Sequence, residues 1–139
     1  MADLVETRAA IRGRSDAEIL AWIERVGGTQ AFLELAFAGM QEAFVAERAG
    51  EKSAVVEWDI ATPDMGVQSY QVLIEDGACR VESGQLVKPE VTLAMQIADF
   101  LRILVGTLDA RLAVAQGKLT VTGDVVLAGA LREWFPIQT

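Results

Sequence analysis

Two pairs of neighbouring carboxylates are the residues of this sequence best suited to acid-base chemistry. Glu57 and Asp59 are separated by one residue, and Glu75 and Asp76 are adjacent. Carboxyl groups held close together can differ in pKa and so act as proton donor and proton acceptor. However, the first pair falls on the polar face of a predicted strand and the second in a predicted turn. We therefore expect solvated structural roles for both pairs.

Other catalytic apparatus is scarce. Histidine is absent from the 139 residues, which removes the commonest general base, the usual catalytic triads and most zinc sites. Cys79 is the only cysteine, so no internal disulfide can form, and a small hydrophobic role in a strand is favoured for it. The segment from Gly117 to Gly123 lacks the Gly-Lys-Ser/Thr ending of a phosphate-binding loop. We expect no enzyme activity, no cofactor and no metal.

The composition indicates a globular domain that does not bind polyanions. Hydrophobic residues make up 52% of the chain and charged residues 23%, which is typical of a folded core. The formal net charge of −8 repels nucleic acid and anionic lipid headgroups. We therefore expect no nucleic acid partner and at most transient membrane contact.

The apolar residues are distributed as in a cytoplasmic protein. No run approaches the roughly 20 apolar residues of a membrane-spanning helix, and residues 1–14 lack the apolar stretch of a secretory signal. No proline-rich or serine-rich linker divides the chain. We expect one cytoplasmic domain spanning residues 1–139.

The first two elements that the sequence predicts are helices. The segment from Ser15 to Glu18 has the form of a capping box, which predicts a helix from about 16 to 26 that ends at two glycines. Thr29 is predicted to cap a second helix. Because that helix is apolar on more than one side, it should pack against two partners, such as a sheet and a ligand. Its apolar stripe consists of Leu33, Phe37, Met40 and Phe44.

The rest of the chain alternates between strands and short helices. Residues with period-2 alternation predict strands near 54–60, 70–74, 79–83, 91–97 and 119–121, and Asp76-Gly77 predicts a tight hairpin. Two short helices separated by Gly106-Thr107 follow the fourth strand. A last helix, from about 125 to 135, is capped by Asp124 and ended by Pro136. An α+β fold with helices on one sheet face follows.

Particular segments, in this order, resemble the sterol carrier protein 2 family. The resemblance is carried by Phe37–Met40 through Phe44, Glu57–Ile60, Leu73–Cys79, Pro89–Leu93, Asp99–Leu101, Gly106–Leu108 and Gln116–Asp124. It covers about residues 30–135 and leaves a helical extension at 15–28 outside. The resemblance implies a five-stranded mixed, mostly antiparallel sheet with helices packed on one face, enclosing an apolar tunnel.

The same resemblance implies non-catalytic binding and transfer of lipids such as fatty acids, fatty acyl-CoA or sterol-like molecules. Apolar walls discriminate weakly between such ligands, so the sequence does not name one. Two alternatives stay open: an accessory domain that presents an apolar substrate to a partner enzyme, and a structural domain that forms a homodimer. Ordinary core packing is the alternative for each predicted lining residue. These residues are Phe37, Met40, Phe44, Phe100, Ile103, Leu104, Leu108, Leu112, Leu127 and Leu131.

Overall fold

The computed structural model describes residues 4–135, with side chains from residue 6 onward, and its centre is a single five-stranded sheet. The strands are β1 (Ala54–Thr62), β2 (Gly66–Glu75), β3 (Ala78–Ser83), β4 (Val91–Gln96) and β5 (Leu119–Gly123). Their order is β3-β2-β1-β4-β5. The β1–β4 pair is parallel and the other three pairs are antiparallel. The predicted mixed, mostly antiparallel sheet of an α+β fold is confirmed.

Helices cover one face of this sheet. Within residues 4–135 they are α1 (Leu4–Ile11), α2 (Asp16–Arg25), α3 (Thr29–Ala43), α4 (Ala46–Ala49), α5 (Ile97–Leu104), α6 (Ala110–Ala115) and α7 (Val125–Trp134). Aromatic rings join the two layers, because Phe37 of α3 stacks on Tyr70 of β2 at 4.3 Å and on Phe100 of α5 at 5.3 Å. Trp58 of β1 meets Phe100 edge-on at 5.6 Å.

Local capping signals are confirmed. The Ser15 hydroxyl accepts a hydrogen bond from the Glu18 backbone N–H at 3.2 Å, and the Glu18 carboxylate accepts one from the Ser15 N–H at 3.1 Å. The Asp124 carboxylate accepts bonds from the first turn of α7, both at 3.0 Å. Asp76 and Gly77 have φ of 51° and 74°, as the predicted hairpin turn requires. Pro136, predicted to end α7, lies outside the described residues.

Three local expectations are wrong or incomplete. Gly28 is the N-cap of α3, and the Thr29 hydroxyl instead donates to the Asp64 carboxylate at 3.0 Å, so a tertiary acceptor replaces the predicted cap. α1 was not predicted, since tertiary contacts hold it: Ile11 is buried, and the Arg8 guanidinium donates to the Val105 carbonyl. The four-residue helix α4 was not predicted either.

Candidate functional site

A cavity of about 950 Å³ lies between the sheet and the helices. Its sheet wall comes from Trp58 of β1, Leu93 and Met95 of β4, and Leu119 and Val121 of β5. Successive side chains point to opposite faces of a strand, so the alternation seen in the sequence brings these apolar residues to the helical face. Within the described residues, β2 and β3 contribute nothing to the cavity wall, which places the cavity at the β4–β5 side of the sheet.

The helical wall contains small residues, and these leave the space empty. Ala36 and Gly39 face the cavity from α3, and Ala128 and Gly129 face it from α7. A Cβ atom added at Gly129 would meet nothing within 4 Å. Larger apolar side chains surround these gaps, namely Phe32, Leu35, Met40, Leu101, Ile103, Leu104, Val105, Val114, Val125, Leu131 and Phe135. The wall is therefore apolar, with room that the protein itself does not fill.

The N-terminal helices complete one side of the cavity. Thr7 of α1, Trp22 of α2 and Val26 all line it. Arg102 of α5 fastens α2 in place, with its guanidinium 2.6 Å from the Asp16 carboxylate. The extension that the sequence left without a role therefore forms part of the cavity wall.

Four of the ten predicted lining residues border this cavity. Met40 does so from α3, Ile103 and Leu104 from α5, and Leu131 from α7. Helical periodicity predicts that these side chains face the sheet, and all four lie on the side of their helix that borders the cavity. Contact of these side chains with a ligand stays a prediction.

The other six predicted residues lie elsewhere in the fold. Phe37 and Phe100 belong to the aromatic stack of the core, and Leu127 is buried there as well. Phe44 follows the end of α3 and packs against the Phe135 ring at a centroid distance of 5.4 Å. Leu108 lies in the break between α5 and α6, and Leu112 lies on the exposed side of α6.

Several lining residues were missed by helix-based reasoning. Leu93, Met95, Leu119 and Val121 are strand residues, and the alternation of the sequence was a sufficient signal for their shared face. Trp22 lies in the extension outside the resemblance. The signal for its inward position was its place on a helix beside the apolar residues Ile19 and Ile23. Alanine and glycine positions on the cavity wall have no comparable sequence signal, because whether they leave a space open depends on the side chains that face them.

The outer sheet face carries a buried polar cluster instead of the solvated carboxylates that the sequence suggested. Glu57 is 3% exposed and Gln71 is fully buried. The Gln71 amide donates to the Glu57 carboxylate at 3.0 Å and to the Val87 carbonyl at 2.7 Å. The Gln85 amide donates to the second Glu57 oxygen at 2.8 Å. The connection between β3 and β4 thus covers this face, and the expectation of solvation at Glu57 is wrong.

The two carboxyl groups of this cluster shift in opposite directions. Burial acts to raise the pKa of Glu57, but hydrogen bonds with Gln85, Asp59 and Gln71 outweigh it and lower the pKa. Burial and the adjacent Glu57 carboxyl raise the pKa of Asp59, against the hydrogen bond from Ser69. Because Glu57 and Asp59 alternate with the cavity-lining Trp58, they lie on the opposite sheet face. They cannot act on a molecule in the cavity.

The remaining reactive candidates, Glu75, Asp76 and Cys79, do not line the cavity. Glu75 and Asp76 are exposed in the hairpin turn, as expected. Burial raises the pKa of the Cys79 thiol to about 11, so at neutral pH it is a neutral, weakly reactive side chain. Within residues 4–135, no three His, Cys, Asp or Glu side chains are grouped to hold a metal ion. No helix of that part is long and apolar enough to cross a membrane.

A second, smaller depression of about 540 Å³ borders the C-terminal end of β4. Asp16, Asp59, Asp99 and Lys118 are its charged residues. The Arg102 guanidinium lies 2.6 Å from Asp16 and 2.8 Å from Asp99, so these two carboxylates are already paired. The pairing explains the acidic grouping as a link between α2 and α5.

Known proteins share this architecture. A model of the SCP-2 sterol transfer family matches residues 33–136. The crystal structure of sterol carrier protein 2 like 2 from Aedes aegypti is 27% identical, covers 76% of this chain and 98% of that chain, and has a TM-score of 0.64. Sterol carrier protein 2 from Aedes aegypti in complex with palmitate is 21% identical over 73% of this chain and 94% of that chain, with a TM-score of 0.55.

Two of the similar structures are of an enzyme. A double mutant of the sec-alkylsulfatase of Pseudomonas sp. has a TM-score of 0.66 at 18% identity. The match covers 76% of this chain but only 16% of the sulfatase chain, so the fold forms a small part of that protein. No curated protein sequence matches this chain.

Proposed function

The chain belongs to the SCP-2 sterol transfer family, and we propose that it takes up the apolar part of a fatty acid, a fatty acyl-CoA or a sterol-like molecule in the cavity between sheet and helices. The observation that carries the proposal is an apolar space of about 950 Å³ whose walls are built from every layer of the fold. Pockets for small molecules commonly have this size and this predominantly apolar lining. The palmitate complex of the mosquito protein supports a single acyl chain as one such ligand.

Hydrophobic transfer is strong enough to retain such a ligand. Removing a sixteen-carbon chain from water contributes about 12 kcal/mol at roughly 0.8 kcal/mol per methylene, before the costs of association and ordering are subtracted. Micromolar or tighter binding is the expected result. A bilayer is as apolar as the cavity, so exchange with a membrane has almost no net driving force and can run in both directions. Reversible exchange is what transfer requires.

We propose that the ligand is not converted. The sequence contains no histidine, and the closest carboxylate pair, Glu57 and Asp59, lies on the sheet face away from the cavity. Thr7 is the hydroxyl residue on the cavity wall, and the charged ones are Glu42, Arg111 and Arg132.

Native mass spectrometry of freshly purified protein tests the proposal. We expect a population carrying one lipid per chain, and stoichiometric uptake of added palmitate that is recovered unchanged after extraction. Transfer of a fluorescent fatty acid between vesicles should accelerate when the protein is added. A chain that neither carries nor takes up any lipid would refute binding, and chemical conversion of the lipid would refute the non-catalytic role.

The likeness to part of the alkylsulfatase favours a second candidate, in which the domain presents an apolar substrate to a partner enzyme. In that case an enzyme should co-purify with the chain, and addition of the chain should lower its KM for an apolar substrate. The unfilled cavity counts against a purely structural dimerisation domain, for which a continuous core is expected.

A further inference from the structure

The charged residues of the cavity wall are few and unevenly distributed. Arg111 of α6 and Arg132 of α7 line it, and Glu42 of α3 is the acidic residue there. Acidic residues outnumber basic ones by 20 to 12 in the chain as a whole. On the cavity wall, basic residues therefore outnumber acidic ones by two to one, the reverse of the chain as a whole.

Both arginines lie near one carboxylate, Asp109, which already accepts hydrogen bonds from the backbone. One Asp109 oxygen accepts hydrogen bonds from the backbone N–H groups of Arg111 at 2.8 Å and Leu112 at 3.2 Å, and so caps α6. These bonds, followed by the charges of Arg132 and Arg111, lower the pKa of Asp109. The Arg132 guanidinium lies 3.9 Å from the other Asp109 oxygen, at the limit of an ion pair. Asp109 is therefore close enough to feel both positive charges, and its one ion pair with them is long.

The guanidinium groups keep most of their donors free. Arg111 makes no side-chain hydrogen bond or ion pair with the described part of the chain, and the Arg132 side chain is 54% exposed. Val125, which also lines the cavity, is 67% exposed, so this edge opens to solvent. A charged headgroup placed here stays hydrated, whereas burial among the apolar walls would remove its water without replacing the lost hydrogen bonds. The position suits a headgroup, and the interior suits a chain.

We propose that Arg111 and Arg132 bind the anionic headgroup of a single-chain amphiphile, a carboxylate or a sulfate, at the mouth of the cavity. This proposal rests on the proposed lipid-binding function and defines its ligand class. Guanidinium groups recognise both anions through paired, charge-assisted hydrogen bonds. The pair makes the cavity discriminate against neutral lipids of the same chain length, which the apolar walls by themselves do only weakly.

The test compares three sixteen-carbon probes: palmitate, hexadecyl sulfate and hexadecanol. Each is titrated below its aggregation limit against protein carrying the neutral dye N-phenylnaphthylamine, and displacement is followed by fluorescence. In the double variant R111Q/R132Q we expect the affinity for the two anions to fall by roughly tenfold, since the contacts are partly solvated. The affinity for hexadecanol should not change. The control R12Q/R80Q removes the same charge at exposed positions that do not line the cavity, and it should bind all three probes normally.

The outcomes separate the two proposals. A loss for both anions supports the headgroup site, and a loss for one anion assigns the site to that anion. Unchanged anion affinity in R111Q/R132Q, an equal loss for hexadecanol, or an equal loss in R12Q/R80Q would overturn it while leaving lipid binding intact. If the unaltered protein binds no probe, the proposed function itself fails.

Discussion

Replacement of Gly129 by phenylalanine should block the cavity without unfolding the protein. Gly129 lies in the interior of α7 and lines the cavity, and an added Cβ meets nothing within 4 Å. The added Cβ therefore meets open space, and because Gly129 lies on the exposed rim of the cavity, we expect the ring to extend across its opening. Phenylalanine is also the better helix former, by about 0.5 kcal/mol. Stability should be unchanged or slightly higher, unlike in a core variant that overpacks its neighbours.

The expected loss of ligand affinity follows from the volume that the ring occupies. If the phenyl group displaces about four methylenes of an acyl chain, binding weakens by about 3 kcal/mol at roughly 0.8 kcal/mol per methylene. That corresponds to a loss of affinity on the order of a hundredfold. Thermal unfolding by circular dichroism and displacement of the neutral dye by palmitate measure the two quantities separately.

Gly129→Ala is the matched control for this variant. Alanine should stabilise the helix by about 1 kcal/mol, which raises Tm by roughly 4 °C for a chain of this size, and should leave most of the cavity open. Palmitate affinity should then stay close to that of the unaltered protein. A folded Gly129→Phe protein that binds palmitate as tightly as the alanine variant would show that the acyl chain lies elsewhere.

Three further variants test the cavity wall, the outer sheet face and a backbone contact. Leu104→Trp should lower palmitate capacity and cost about 1–3 kcal/mol by overpacking, whereas unchanged capacity in the folded protein would make Leu104 an ordinary core residue. Burial and the Glu57 carboxyl raise the pKa of Asp59 above 3.8. The folded state therefore holds this proton more tightly than the unfolded state, and ionisation of Asp59 destabilises the fold once the pH rises above 3.8 and past the raised pKa. Asp59→Asn should therefore gain stability over the unaltered chain as the pH rises from acid to neutral in urea unfolding, and a constant difference would refute this. Gly123→Ala should cost more than about 2 kcal/mol in the same assay, because φ is 104° and the added Cβ would collide with the backbone carbonyl of Glu90; a cost near zero would contradict that backbone geometry.

Caps and turns formed by residues close together in the chain could be predicted from the sequence. The capping box at Ser15, the cap at Asp124 and the hairpin turn at Asp76-Gly77 each depend on groups within a few residues of one another. Their hydrogen bonds form wherever the segment is placed, so no tertiary information is needed. The alternation of apolar and polar residues along each strand is equally local. It predicted the order of elements that, with particular segments, carried the resemblance to the family.

Predictions failed where a distant segment supplies the partner. Thr29 has the right chemistry for a cap, but the Asp64 carboxylate, 35 residues away in sequence, accepts its hydrogen bond instead. Glu57 has the spacing of a solvated strand residue, yet the connection carrying Gln85 and Val87 covers it. A polar pattern predicts which face a side chain takes, and it does not predict what covers that face.

Residue periodicity predicts that helices and strands present apolar faces to each other. The places where those faces do not meet depend on the assembled fold. Phe37 and Met40 share one stripe of α3, but Phe37 stacks in the core while Met40 borders the cavity. The difference arises because large rings face Phe37, whereas the cavity near Met40 is also walled by the small residues of α7, Ala128 and Gly129. Periodicity is a property of one segment, but an empty volume is a property of several segments at once, since its size depends on every side chain that could have filled it.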